Sequence, residues 1–192
     1  QGVSSAASDV YKRQHLYMGN VSVRNKTSCD YLIIGSGAIG LATGIALLQN
    51  NPALKVVIVD KENALASHAS GRNSGVIHAG FYYSPDSLKA RFCRDGNQEL
   101  TKLARKYEIP VREVGKVVVA KNEGENSRLD LLSSRGQLNG VELELLEAKH
   151  LEKYEPLART YNRFIWSPKT AISHPKEIVQ ALKFEFENLG GQ

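Results

Sequence analysis

The chain has 192 residues, 42% of them hydrophobic and 23% charged, with a formal net charge of +5. That balance excludes a disordered or fibrous chain, and acids and bases interspersed along the whole length, with no Lys/Arg cluster among aromatics, argue against nucleic acid as a partner. Two cysteines, Cys29 and Cys93, and five histidines without ligand spacing argue against a disulfide framework and against any metal site.

Residues 1–29 read as a non-native leader followed by a disordered N-terminus. The first 14 residues, ending Asp9-Val10-Tyr11-Lys12-Arg13-Gln14, have neither periodicity nor the apolar core of a signal peptide, and Met18 is a plausible true start. With no signal peptide and few cysteines, the default compartment is the reducing cytoplasm. A mitochondrial or peripheral-membrane location is the alternative.

Residues 30–60 form one unit. An apolar strand, Tyr31 to Ile34, runs into the turn Gly35-Ser36-Gly37-Ala38-Ile39-Gly40. A helix follows to Asn50, then a second apolar strand, Lys55 to Val59, which ends at Asp60. Gly35 permits the tight turn, Gly37 lets the backbone approach a pyrophosphate, and Gly40 lets the helix pack on the strand. The helix N-terminus offers unpaired N–H groups and partial positive charge to phosphates. Asp60, 20 positions after the third glycine, can accept hydrogen bonds from a ribose. The frame therefore predicts binding of an adenine dinucleotide. No residue from Tyr31 to Leu54 is charged, long enough to suggest a membrane span, but the clustered glycines and Asn50-Asn51-Pro52 argue against one.

Residues 61–74 are polar and rich in small residues, so a loop is expected there. Val76 to Tyr83 is apolar and extended in character. Ser84-Pro85 suggests an N-cap and first position for a helix reaching Tyr107, with Leu88, Phe92, Leu100, Leu103, Ala104 and Tyr107 on its buried stripe. Beyond residue 110 the pattern changes. A strand is expected at 116–120, a helix at 126–138, a half-exposed strand at 141–147, another strand at 163–167 and a helix from Pro175 to Leu189 before Gly190-Gly191. The fold class is α/β: a Rossmann-like dinucleotide-binding segment over 30–110 (FAD-binding, by the resemblance given below), a mixed-sheet segment of a second, substrate domain over 111–173, and a helix over 174–192 that returns to the first domain. A helix followed by Gly-Gly commonly precedes a further strand, so the chain reads as the N-terminal part of a longer protein.

Ser70-Gly71-Arg72-Asn73-Ser74-Gly75-Val76-Ile77-His78-Ala79-Gly80 begins ten residues after Asp60. In a doubly wound fold this loop leaves the carboxyl edge of the sheet, where a cofactor lies. Together with DYLIIGSGAIGLATG, VVIVDKE, the strand beginning Gly115-Lys116 and Tyr154-Glu155-Pro156, the stretch resembles FAD-dependent oxidoreductases of the D-amino-acid-oxidase-like superfamily. Within it, the chain is most similar to the L-2-hydroxyglutarate dehydrogenase and oxidase group, over about residues 30–190. The resemblance departs at Asp60, where Glu is frequent, at Arg72, where His is common, and at Ser173-His174, where an acid is frequent.

What that resemblance implies is FAD as cofactor and oxidation of an L-2-hydroxy acid to the 2-oxo acid by hydride transfer to flavin. Oxygen or a quinone would be the electron acceptor. Carried over by position, Gly35, Ser36, Gly37, Ala38, Ile39 and Gly40 face the pyrophosphate and Asp60 and Lys61 the adenosine. Ser70, Gly71, Arg72, Asn73, Ser74 and Gly75 line the flavin. His78 is the expected base, since a neutral imidazole accepts a proton near pH 7; packing beneath the ring, or covalent flavin attachment, are its other possible roles. Arg72, Lys89 and Arg91 are candidates to hold a carboxylate, and Tyr82 and Tyr83 to line the pocket. Other readings stay open: an NAD-dependent dehydrogenase, a flavoenzyme for glycerol 3-phosphate or an amine, or an inactive fragment.

Overall fold

The computed structural model describes residues 28–192; the leader and Met18 lie outside them. Strand β1 (Tyr31–Ile34) pairs in parallel with β2 (Val56–Val59), Tyr31 opposite Val56 and Ile34 opposite Val59. Parallel neighbours need a crossover, and helix α1 (Ala38–Asn50) provides it. The uncharged stretch thus resolves into a strand and a helix of 13 residues. Among the described residues, no helix is long and apolar enough to cross a membrane.

Two antiparallel sheets follow. Strands β3 (Val76–Ile77) and β4 (Arg112–Glu113) flank β8 (Ala171–Ile172). In the other sheet β7 (Arg163–Ser167) lies between β5 (Lys116–Val119) and β6 (Glu144–Glu147). Helix α2 (Leu88–Lys106) joins the β3 segment to β4, and α3 (Glu123–Leu138) joins β5 to β6. Leu129 of α3 packs with Ala120 and Ile165 into one core cluster.

The last helix, α4 (Pro175–Asn188), returns to the parallel pair. Val179 and Phe186 join Leu41, Leu48 and Val56 in a second core cluster. A side chain at Gly44 of α1 would come within 2.6 Å of the Phe186 ring, so the bare backbone makes room for it. After Gly190-Gly191, Gln192 donates its N–H to the Val56 carbonyl (3.0 Å), and its carbonyl accepts from the Ile58 N–H (2.7 Å). Gln192 thus pairs its backbone with β2. On its other side α4 meets α2 through Ala104, Ile109 and Ala181, and Glu185 binds the Lys106 ammonium and the Tyr107 hydroxyl.

Several boundaries differ from the sequence expectations. Residues 84–87 form a turn, with Ser87 N–H donating to the Ser84 carbonyl (3.0 Å). The N-cap is therefore Ser87, whose hydroxyl accepts from the Ala90 N–H, and not Ser84. Leu88 and Phe92, expected on the buried stripe, are each 60% exposed; the covered face is carried by Ala90 and Ala104. The extended stretch from Val76 shrinks to two strand residues because Gly80 turns at φ +93°. Helix α3 starts three residues early. Asn122 caps the Glu125 N–H, and the Glu125 carboxylate accepts from the Lys121 N–H, a reciprocal pair that composition alone did not suggest.

Phe186 is 3% exposed and bridges α1 and α4. Truncation by Phe186→Ala is expected to cost about 3–5 kcal/mol of stability in urea unfolding. A loss below about 1 kcal/mol would show that the α1–α4 contact does not hold the parallel pair together.

Candidate cofactor and active site

The glycine turn is held by backbone geometry. Gly35 sits at φ +111°, open to glycine at no steric cost, and its N–H donates to the Val59 carbonyl (2.7 Å) at the end of β2. A side chain at Gly40 would overlap the Gly35 carbonyl, so only glycine lets α1 start this close to the strand. Gly37 is the N-cap of α1 and provides no capping side chain. The first-turn N–H groups of such a helix are a ready site for an anion.

Two side chains close on this turn. Asp60 accepts from the Ser36 N–H (2.6 Å), the Ser36 hydroxyl (2.8 Å) and the Glu62 N–H (2.9 Å). Those bonds, from Glu62 first and then Ser36, hold its carboxyl down at about 2. A carboxylate has about four acceptor positions, so roughly one stays available for an outside hydroxyl. Ser70 reaches over from the following loop and accepts from the Ala38 N–H (3.1 Å) through its hydroxyl.

The rest of the loop divides between building and exposure. Asn73 donates to the Ala69 and Ser70 carbonyls (both 3.0 Å) and accepts from the Gly75 N–H (2.9 Å), so its amide is spent on loop shape. A side chain at Gly71 would overlap the Ala66 carbonyl, and one at Gly75 the Ser173 carbonyl. Gly75 also accepts from the Ser173 N–H (2.9 Å), which ties the loop to β8. Ile39, Arg72 and Ser74 are exposed. Lys61 points away from the turn, 3.8 Å from the Glu62 carboxylate. The structure thus brings Gly35–Gly40, Asp60 and Ser70 together and leaves Lys61, Arg72 and Ser74 outside that cluster.

Beyond β3, residues 77–83 are pinned from two helices. Asn97 of α2 donates to the His78 carbonyl (3.1 Å). From the end of α3, Asn139 donates to the Gly80 and Tyr83 carbonyls, and Arg135 to that of Tyr82. Phe81 is fully buried and stacks on Tyr82, with ring centres 4.3 Å apart. The Lys116 ammonium lies over both rings, 4.5 Å from Tyr82 and 4.8 Å from Phe81. Partial burial, and after it the Lys116 charge, push the His78 imidazole below its ordinary value. Burial pushes the Tyr82 phenol up and the Lys116 ammonium down. Three perturbed groups in one place mark a functional candidate. Sequence reading passed over Lys116 as a side chain. Its one signal was a lone cation at the head of the apolar strand Lys116–Val119. Lys89 and Arg91 instead lie over Tyr83 and Phe92.

Residues 30–192 match the family model described as FAD dependent oxidoreductase, DAO. The chain belongs to this family. It is 40% identical over 164 residues to L-2-hydroxyglutarate dehydrogenase, mitochondrial, of Caenorhabditis briggsae, covering 85% of the chain and 38% of that protein. It is 41% identical over 165 residues to L-2-hydroxyglutarate dehydrogenase of Indibacter alkaliphilus, covering 84% and 40%. The chain thus spans about two fifths of the length of these curated relatives. Among solved structures it resembles dithionite-reduced L-α-glycerophosphate oxidase from Mycoplasma pneumoniae with FAD bound. There the TM-score is 0.73 and identity 28%, over 86% of this chain and 44% of that one.

The residues present fit FAD. The turn has the close Gly35–Gly40 contact, nothing within 4 Å of where a side chain would rise from Gly35, and a helix whose N-cap, Gly37, adds no side chain of its own.

The depressed Asp60 gives a pH signature. Its carboxylate stabilises the fold above the unfolded value of about 3.8, and that contribution is lost as pH falls through about 2. The thermal midpoint of Asp60→Asn is expected to fall less than that of the parent between pH 4 and pH 2. Parallel acid curves would show that the Ser36 and Glu62 bonds contribute nothing.

Proposed function

We infer that this chain carries the FAD-binding part, and the first part of the substrate-facing sheet, of an enzyme that oxidises L-2-hydroxyglutarate or a close L-2-hydroxy acid to the 2-oxo acid. The observation behind this reading is the 40 and 41% identity to proteins named L-2-hydroxyglutarate dehydrogenase, over a match that takes in the glycine turn, the Ser70–Gly75 loop and His78 together. The sheet β5-β7-β6, antiparallel and separate from the parallel pair, supports assigning residues 111–173 to a substrate domain.

Bound FAD supplies the two-electron acceptor for such a reaction. The N–H groups of Ile39 and Gly40 would hold its pyrophosphate, with Gly35 and Gly37 giving close approach, while Ser36 and Ala38 shape the turn through their bonds to Asp60 and Ser70. Asp60 would accept from the adenosine ribose with its remaining oxygen position, and the Ser70–Gly75 loop would line the ring. Oxidising a secondary alcohol requires that the hydroxyl proton leave with two electrons and the α-hydrogen. His78 is the residue assigned to that proton. An imidazole held below its ordinary value is neutral at pH 7 and so ready to accept. Oxygen or a quinone would then reoxidise the cofactor.

A second reading, oxidation of a glycerol phosphate, is favoured by one observation: the likeness to the FAD-bound glycerophosphate oxidase. Purified full-length protein decides between them. A yellow flavin spectrum that bleaches anaerobically on adding L-2-hydroxyglutarate supports the first, and bleaching with glycerol 3-phosphate alone the second. A colourless protein rejects both. His78→Asn is expected to keep the flavin and lose about 10²- to 10⁴-fold in kcat. In the parent, kcat/KM should fall only below about pH 6.5, because the depressed imidazole stays neutral down to there. Unchanged turnover in His78→Asn would remove it as the base.

A further inference from the structure

Lys116 is the least explained charge near His78. It is half-buried at the start of an apolar strand, and burying a cation is costly unless something pairs with it. Among the described residues, no carboxylate acts on its ammonium, and its one electrostatic support is the pair of aromatic faces beneath it. The residue is also placed with some care. Gly115 turns at φ +69°, and a side chain there would overlap the Trp166 ring. The Gly115 N–H donates to the Thr170 carbonyl (2.9 Å), and Lys116 pairs with Ser167 in the sheet. Ser167 and Thr170 are buried and hydrogen-bonded to each other (3.0 Å). The strand start is therefore fixed by a packed corner, and the side chain leaves it across Phe81 and Tyr82, three and four residues after His78.

We propose that the Lys116 ammonium receives a substrate carboxylate beside His78, with the Phe81–Tyr82 pair as the platform that holds it ready. This assignment rests on the proposed hydroxy-acid reaction and deepens it. In a 2-hydroxy acid the reacting hydroxyl and a carboxylate stand on neighbouring carbons. Lys116 is the charge that acts on His78, and the rings that carry it follow His78 by three and four residues, so a proton acceptor and a cation belong to one place. The stacked rings hold the cation without neutralising it, so an incoming carboxylate meets a full, partly desolvated charge. Arg72, Lys89 and Arg91 are less suited. Arg72 is exposed and outside the cluster, and the other two lie over rings of their own on the α2 side.

The test uses full-length, FAD-loaded protein and 2-oxoglutarate, the product of the proposed reaction, titrated against the flavin spectrum. Lys116→Met covers the same two rings without charge, and Lys116→Gln keeps a polar end. Each is expected to retain flavin and to bind 2-oxoglutarate about 10- to 100-fold more weakly, the usual loss for a charge-assisted hydrogen bond. Binding within about twofold of the parent in either flavin-loaded variant overturns the proposal. Loss of flavin in both would make Lys116 a folding residue and overturn it as well. A parent protein that neither bleaches with L-2-hydroxyglutarate nor binds 2-oxoglutarate fails earlier, at the reaction itself, and the Lys116 assignment falls with it.

Discussion

The approach of α1 to the turn before it governs the rest of the structure. Because Gly40 has no side chain, the helix can begin against the Gly35 carbonyl, and its free N–H groups stay at the end of β1. Asp60, at the end of β2, then braces the same turn with two hydrogen bonds from Ser36. Strand, turn, helix and second strand are thus one rigid piece. Two later parts of the chain dock onto it: Ser70 on the first turn of α1, and α4 against α1 and β2.

Two remote segments complete that piece. Phe186 fills the space left by Gly44, and Gln192 adds backbone pairing along β2. The parallel pair would otherwise be a two-stranded ribbon with little core. The antiparallel sheets, built by residues 111–173 together with Val76 and Ile77, come between the two visits in the sequence. The glycine turn thus belongs to the parallel pair, and the His78 segment follows directly on the antiparallel strand β3.

Much of this was legible in the sequence, and the limits have physical causes. Period and turn chemistry locate β1, α1, β2 and α4 within a residue or two, because glycine spacing and apolar runs leave few alternatives. Asp60 was legible as an acid at the strand end, but its bonds to Ser36 and Glu62 were not, since they depend on how the turn folds back. Ser84-Pro85 misled because it forms a real turn one step before the true cap at Ser87. Leu88 and Phe92 follow helical periodicity yet face outward, where no described element covers them. Lys116 stayed hidden because its neighbours in space, Phe81 and Tyr82, lie 35 and 34 positions earlier in the chain.

The pairing of β3 with β8 carries a kinetic consequence. Val76 pairs in register with Ile172, and Gly75 accepts from the Ser173 N–H, across more than half of the described residues. Closing so long a loop has an entropic cost that local helices and the β1–β2 crossover do not share. The segment that aims His78 therefore orders after the glycine turn as the chain folds.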